Sequence, residues 1–201
     1  MPFGNRKEPE MSKKTIAKTV RVVTIPPLLV SFLFVILYFG RPDFFRGIFD
    51  LIAGITFLAI IPTLAYPLQP IIPGFKDKGR KGQRTLAFIT SGIGYIGGIL
   101  YAVISGVSNE LLLIFASYFV SVIVLTVFNI LLKRKASGHS CGVVGPLIFT
   151  VYFLGWGWLI PCVLLAGAVA WSSVALKRHT PNDLLLGGLS AAFAFMICVA
   201  I

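Results

Sequence analysis

Seven apolar runs divide the chain, at about residues 20–40, 45–70, 86–105, 111–132, 141–154, 157–176 and 184–201. Most approach the roughly twenty residues that an α-helix needs to cross a hydrocarbon layer. Backbone N–H and C=O groups find no water at that depth, so such runs must satisfy their hydrogen bonds internally, as helices. The expected fold class is therefore all-α, a polytopic transmembrane bundle of six to seven spans. The short run at 141–154 makes the difference between the two counts. Composition agrees: 57% of the residues are hydrophobic and 12% charged, whereas a soluble domain carries about a quarter charged residues. The chain reads as a polar, basic tail over 1–19 and a single transmembrane domain over 20–201. The first apolar run lacks a small-residue cleavage site and reads as a span, not a cleaved signal.

The net charge of +11 is concentrated in clusters. Six cations (Arg6, Lys7, Lys13, Lys14, Lys18 and Arg21) precede or enter the first run, and the rest lie mainly in "KDKGRKGQR", "KRK" and "KRH". The alternate connections, "RPDFFR", "SGVSNE" and "GWGW", are poorly charged. With seven crossings every basic loop falls on the side of the N-terminus, which the positive-inside rule makes cytoplasmic. Clusters of this kind attract anionic headgroups, so membrane lipids are expected partners. No aromatic-interleaved basic groove for nucleic acid is present. "KRK" at 133–135 reads as a topological anchor, and Trp156 and Trp158 as interfacial aromatics at the opposite face. Cys141, Cys162 and Cys198 lie in apolar context with no ligand spacing and read as buried small hydrophobes. Gly94 and Gly98, four apart, predict close helix–helix approach. Pro26, Pro27, Pro62 and Pro146 predict kinks or helix ends.

The rarest chemistry gathers in the basic loops. The only two histidines, His139 and His179, lie in "KRKASGHSCG" and "KRHTPNDLLLGG". Cations with two histidines and an aspartate suit phosphoryl transfer: cations bind phosphate oxygens, one imidazole attacks phosphorus, and the other protonates the leaving oxygen. "Thr180-Pro181-Asn182-Asp183" has the form of a helix start, with Thr180 as N-cap, proline at the first position and Asp183 at the third. "Ser137-Gly138-His139" opens another apolar run. Helix N-termini present free amides and a positive dipole end to an anion.

These motifs resemble those of the type 2 phosphatidic acid phosphatase superfamily, which shares its site with vanadium haloperoxidases. The family pattern Pro-Ser-Gly-His is matched by Ala136-Ser137-Gly138-His139, with alanine for proline. Ser-Arg-x5-His-x3-Asp is matched by Ser172-Ser173-x5-His179-x3-Asp183, with serine for the arginine. Of Lys-x6-Arg-Pro, Arg84 fits the arginine; Thr85 replaces the proline, and Asp77 stands at the lysine position, with Lys76, Lys78 and Lys81 as nearby substitutes. The resemblance covers about 76–188. It implies a similar helical core, His179 as the nucleophile of a phosphohistidine intermediate, Asp183 as its orienting partner and His139 as general acid. It also implies phosphate ligation by Ser137, the Gly138 amide, Arg84 and a nearby lysine, with Arg178 or Lys177 making up for the missing arginine.

The expected protein is thus a multi-pass membrane enzyme that needs no cofactor. It hydrolyses a phosphate monoester or diphosphate on a lipid such as phosphatidic acid, phosphatidylglycerol phosphate or a polyprenyl phosphate. Asp77 and Asp183 are too few for a two-metal site. Two alternatives remain: a catalytically impaired relative that binds lipid phosphates or scaffolds partners, suggested by the degraded first motif and Ser173, and a transporter, for which no internal repeat is found. Oligomeric state is not readable.

Overall fold

A computed structural model describes residues 8–201, with the side chains of 13–201. Among the described residues all regular structure is helical and no strand occurs. Helix α1 (Glu8–Val23) is followed by α2 (Pro26–Gly40), α3 (Ile48–Leu68), α4 (Gly79–Ser105), α5 (Asn109–Leu131), α6 (Gly138–Leu154), α7 (Trp156–Ala175) and α8 (Pro181–Val199). Arg6 and Lys7, counted above with the basic tail, lie outside the described residues.

Five helices (α3, α4, α5, α7 and α8) are long and apolar enough to cross a membrane, and a sixth span results if the bent pair α1–α2 counts as one. The expectation of up to seven is corrected at two places. The run at 20–40 breaks at Pro26, which lacks an N–H and opens α2, and the two helices meet at 50°. Helix α6 has 17 residues, bounded by the Ser137 cap and by Gly155 at φ +96°, a left-handed angle that suits glycine. "KDKGRKGQR" also differs from the expected loop: Lys76–Lys78 form a 3-10 turn, and α4 begins at Gly79. The tail is not free either, because α1 packs along α7 with Ala17 fully buried.

Short connections make successive helices antiparallel, so the starts of α2, α4, α6 and α8 and the ends of α3, α5 and α7 share one end of the bundle. All described cations except Arg41 and Arg46 lie at or near that end. The core joins α2, α3, α4, α5 and α6 around Phe34, Leu37, Leu111, Ile114, Phe115 and Phe149. Rings of Phe34 and Phe115 lie 6.0 Å apart. Apolar side chains on the outer surface, such as Phe39, Phe49 and Ile104, are almost fully exposed. A lipid-facing surface differs from a water-facing one in this way, and association of such helices rests on close packing. The glycine pair does this work. A Cβ on Gly94 would strike the Phe57 carbonyl, and one on Gly98 would lie 2.7 Å from Phe115 Cδ1. Phe57 belongs to a π-helical segment, Thr56–Ile60, that interrupts α3 at this approach.

Candidate functional site

The site is assembled where α6 and α8 begin. Both helices open with side-chain caps, and the one at Thr180 is the cap expected from sequence. Ser137 Oγ accepts from Ser140 N at 3.2 Å. Thr180 Oγ1 accepts from Asp183 N, and Asp183 Oδ2 accepts from Thr180 N, each at 3.2 Å, a complete capping box. The two helix starts are then bound to each other. Ser137 N donates to the Asp183 carbonyl at 2.8 Å, and Ser140 Oγ to the Leu184 carbonyl at 2.7 Å. Gly187 permits this, since a Cβ there would collide with the Ser137 carbonyl. On the approach to Ser137, Asn129 Nδ2 donates to the Ala136 carbonyl at 3.2 Å, and Ala136 N donates back to Asn129 Oδ1 at 3.3 Å. Lys133 and Lys177, which follow α5 and α7, both take left-handed backbone angles, φ 50° and 51°.

His139 and His179 are brought together by this joint. His179 Nε2 lies 3.4 Å from Ser137 Oγ, and its Nδ1 lies 3.6 Å from Asp183 Oδ2, beyond hydrogen-bond range. Among the described residues four buried side-chain N or O atoms have no hydrogen-bond partner, and two of them are His139 Nε2 and His179 Nδ1. Asp183 is 7% exposed, caps α8 and stands beside the His179 ring.

Two cations at the site were not singled out from the sequence. Lys135 Nζ, in the "KRK" read above as an anchor, lies 2.6 Å from Asp183 Oδ2 and so stands at the candidate site. Its position in sequence, two residues before Ser137, was the available signal. Arg21 Nη1 donates to Ser173 Oγ at 3.0 Å. Ser173 itself is fully buried, and its carbonyl accepts from Arg178 N at 2.9 Å. Arg84 is exposed and acts on His179 electrostatically. Lys76, Lys78 and Lys81 are exposed and make no hydrogen bond or ion pair with either histidine; Lys78 Nζ lies 5.7 Å over the Phe75 ring. Gly138 is exposed at the first turn of α6. Arg178 and Lys177 line an open cleft of about 340 Å³ together with Lys135, Val174, His179, Thr180 and Pro181. Three His, Cys, Asp or Glu side chains gather nowhere among the described residues.

The electrostatics follow from this census. Burial lowers the His179 pKa below the ordinary 6.5, Lys135 and Arg21 lower it further, Asp183 opposes them, and Arg84 adds a smaller push in the same direction. The imidazole is therefore held neutral at pH 7, with a lone pair available on one nitrogen. The arrangement can bind an anion against Arg21, Arg84, Lys135, Arg178 and two helix starts, and can present two neutral imidazoles to it. In comparisons with known proteins, no family model, curated protein or solved structure matches this chain.

Proposed function

We propose that the chain is an integral membrane phosphatase that hydrolyses a phosphate monoester or diphosphate carried by a lipid, through a phosphohistidine at His179. The observation that carries this reading is the meeting of the only two histidines, each with a buried unpartnered nitrogen, in a field of cations whose one acidic member is Asp183. The chemistry balances on these groups alone. His179 Nε2 attacks phosphorus while Nδ1–H turns to Asp183, the bond from phosphorus to the lipid oxygen breaks, and His139, neutral at rest, relays the proton of the bound phosphate monoanion to that oxygen. Water then attacks the phosphohistidine, His139 takes a proton from it, the P–N bond breaks, and phosphate leaves with that proton, which returns His139 to its neutral form. Cations and helix-start amides offset the charge on the equatorial oxygens throughout. A site at the end of a helical bundle suits a substrate whose headgroup is polar and whose tails stay among apolar helices.

A second reading, binding of lipid phosphates without turnover, is favoured by one distance: Asp183 is held by Lys135 at 2.6 Å and stands 3.6 Å from His179. Phosphate release from a panel of lipid phosphates in detergent separates the two. Release with radiolabelled phosphate trapped on His179 supports the enzyme. Binding of the panel without release leaves the second reading.

The basic end of the bundle is proposed to face the cytoplasm. In a cysteine-free background, single cysteines at Asp77 and Gly157 report the face, both positions being exposed. In intact cells an impermeant maleimide is expected to label position 157 and spare 77. The reverse pattern puts the site outside.

A further inference from the structure

Helix α1 lies along α7 and brings Arg21 onto Ser173, whose hydroxyl accepts from Arg21 Nη1 at 3.0 Å. Ser173 is fully buried and its carbonyl holds Arg178 N, so this one residue joins the N-terminal helix to the turn that carries His179. Arg21 is half-buried, and no ion pair joins it to a carboxylate among the described residues. Its electrostatic neighbours are Arg178, Tyr66 and Arg80, and it acts in turn on both His139 and His179. The acid at the site, Asp183, is already held by Lys135. A guanidinium has five N–H donors in a rigid fork, and one hydrogen bond to Ser173 leaves most of them uncommitted. A contact that served only to dock α1 would be made at less desolvation penalty by a neutral side chain. An incoming anion relieves the like-charge crowding and takes up the free donors.

We infer that Arg21, carried by the N-terminal helix, is a phosphate-binding residue that occupies with its side chain the space beside position 173, where the sequence has serine. The inference rests on the phosphate chemistry proposed for the same site. Ser173 then acts as a positioning residue that fixes one Nη of the guanidinium and leaves the others for phosphate oxygens. By this account the first helix is part of the site, and a chain cut before α2 lacks one side of it.

The test is calorimetric titration of inorganic phosphate into the purified full-length protein in detergent, which needs no turnover. Arg21→Gln keeps a donor for Ser173 and removes the charge. Roughly ten- to a hundredfold weaker phosphate binding is expected for Arg21→Gln and for Arg21→Ala, with Arg21→Lys between them and the wild type. Moving the guanidinium to the neighbouring position, in the double variant Arg21→Ala/Ser173→Arg, is expected to recover most of the loss. Thermal unfolding of each variant confirms that it is folded. Wild-type affinity in Arg21→Gln overturns the inference, because a docking contact alone survives that change; so does a wild-type protein that fails to bind phosphate. Phosphate binding that depends on Arg21, in a protein that releases phosphate from no lipid in the panel, keeps the inference and removes the enzymatic reading.

Discussion

Two buried carboxylates stand at opposite ends of the bundle, Asp50 at the start of α3 and Asp183 at the start of α8. Each is paired with one cation, yet their surroundings differ in kind. Asp50 Oδ1 accepts from Arg46 Nη2 at 2.5 Å and from Tyr101 Oη at 2.7 Å, and Oδ2 accepts from Arg46 N at 2.8 Å and Nε at 3.1 Å. Arg46 also reaches the Ser105 carbonyl at the end of α4. Every group in that network has a partner, and it ties α3 to α4. Around Asp183 the cations outnumber the acids, and the two histidines keep unpartnered nitrogens. A closed network lowers the energy of the fold, whereas an open one with surplus charge leaves groups free to take up an anion. Equal burial of an ionised group therefore says little about its task. Whether its neighbours are satisfied says more.

This contrast divides the expected effects of mutation. At the open end, His179→Ala should reduce lipid phosphate hydrolysis by more than about a thousandfold while leaving thermal unfolding nearly unchanged, because the ring's one polar contact is a long 3.4 Å approach to Ser137 Oγ and its Nδ1 has no partner. Phosphate release by the purified variant near the wild-type rate would remove His179 from the chemistry. Arg84 is exposed and contributes through charge. Arg84→Ala and Arg84→Lys should each lower kcat/KM by roughly ten- to a hundredfold, since lysine does not make the two-pronged contact of a guanidinium. An unchanged kcat/KM in Arg84→Ala would move this contact to Lys81 or Arg178.

At the closed end the order reverses. Asp50→Ala strips the Tyr101 hydroxyl and the Arg46 amide of their acceptor inside the bundle. Leaving such groups unpaired costs about 1–3 kcal/mol. The variant should unfold at lower temperature in detergent, with kcat per folded molecule unaltered. Loss of activity without loss of stability would mean that the two ends are coupled, and would break the comparison.

Local rules made much of the site legible. The Thr180–Asp183 capping box is read within four residues and formed as expected, and the run opened by Ser137-Gly138-His139 is a helix start as read, with Ser137 as its cap. Clustering of the basic loops at one end followed from alternation of the runs. What local reading missed depends on contacts far apart in sequence. Arg21 meets Ser173 across 152 residues, through docking of α1 on α7, and nothing within the first twenty-one residues marks that. Lys135 looked like one of three equivalent cations; the Asn129 clamp on Ala136 sets which of the three reaches Asp183. Of the six to seven spans expected, the higher count fell because hydropathy does not see the 50° bend at Pro26 and because α6 stops at 17 residues.

The smallest expected effect is the most specific to the open end. If His179 attacks as the neutral imidazole, kcat/KM falls on the acid side as that ring takes up a proton. Its pKa is lowered by burial, by Lys135 and by Arg21, so the acid limb should lie below the ordinary 6.5. Lys135→Gln removes one of those cations and frees Asp183, which favours the protonated ring. Both changes raise the His179 pKa, so the limb should move to higher pH, and the variant should lose most activity, relative to wild type, at the acid end of the profile. Titration of the substrate phosphate is common to both enzymes and cancels in the ratio of their profiles. A replacement at the closed end, Arg46→Gln, should leave the limb where it is, because Arg46 sits with Asp50 at the far end of α4. A limb that moves to lower pH in Lys135→Gln, or moves equally in Arg46→Gln, would show that the observed titration belongs to another group.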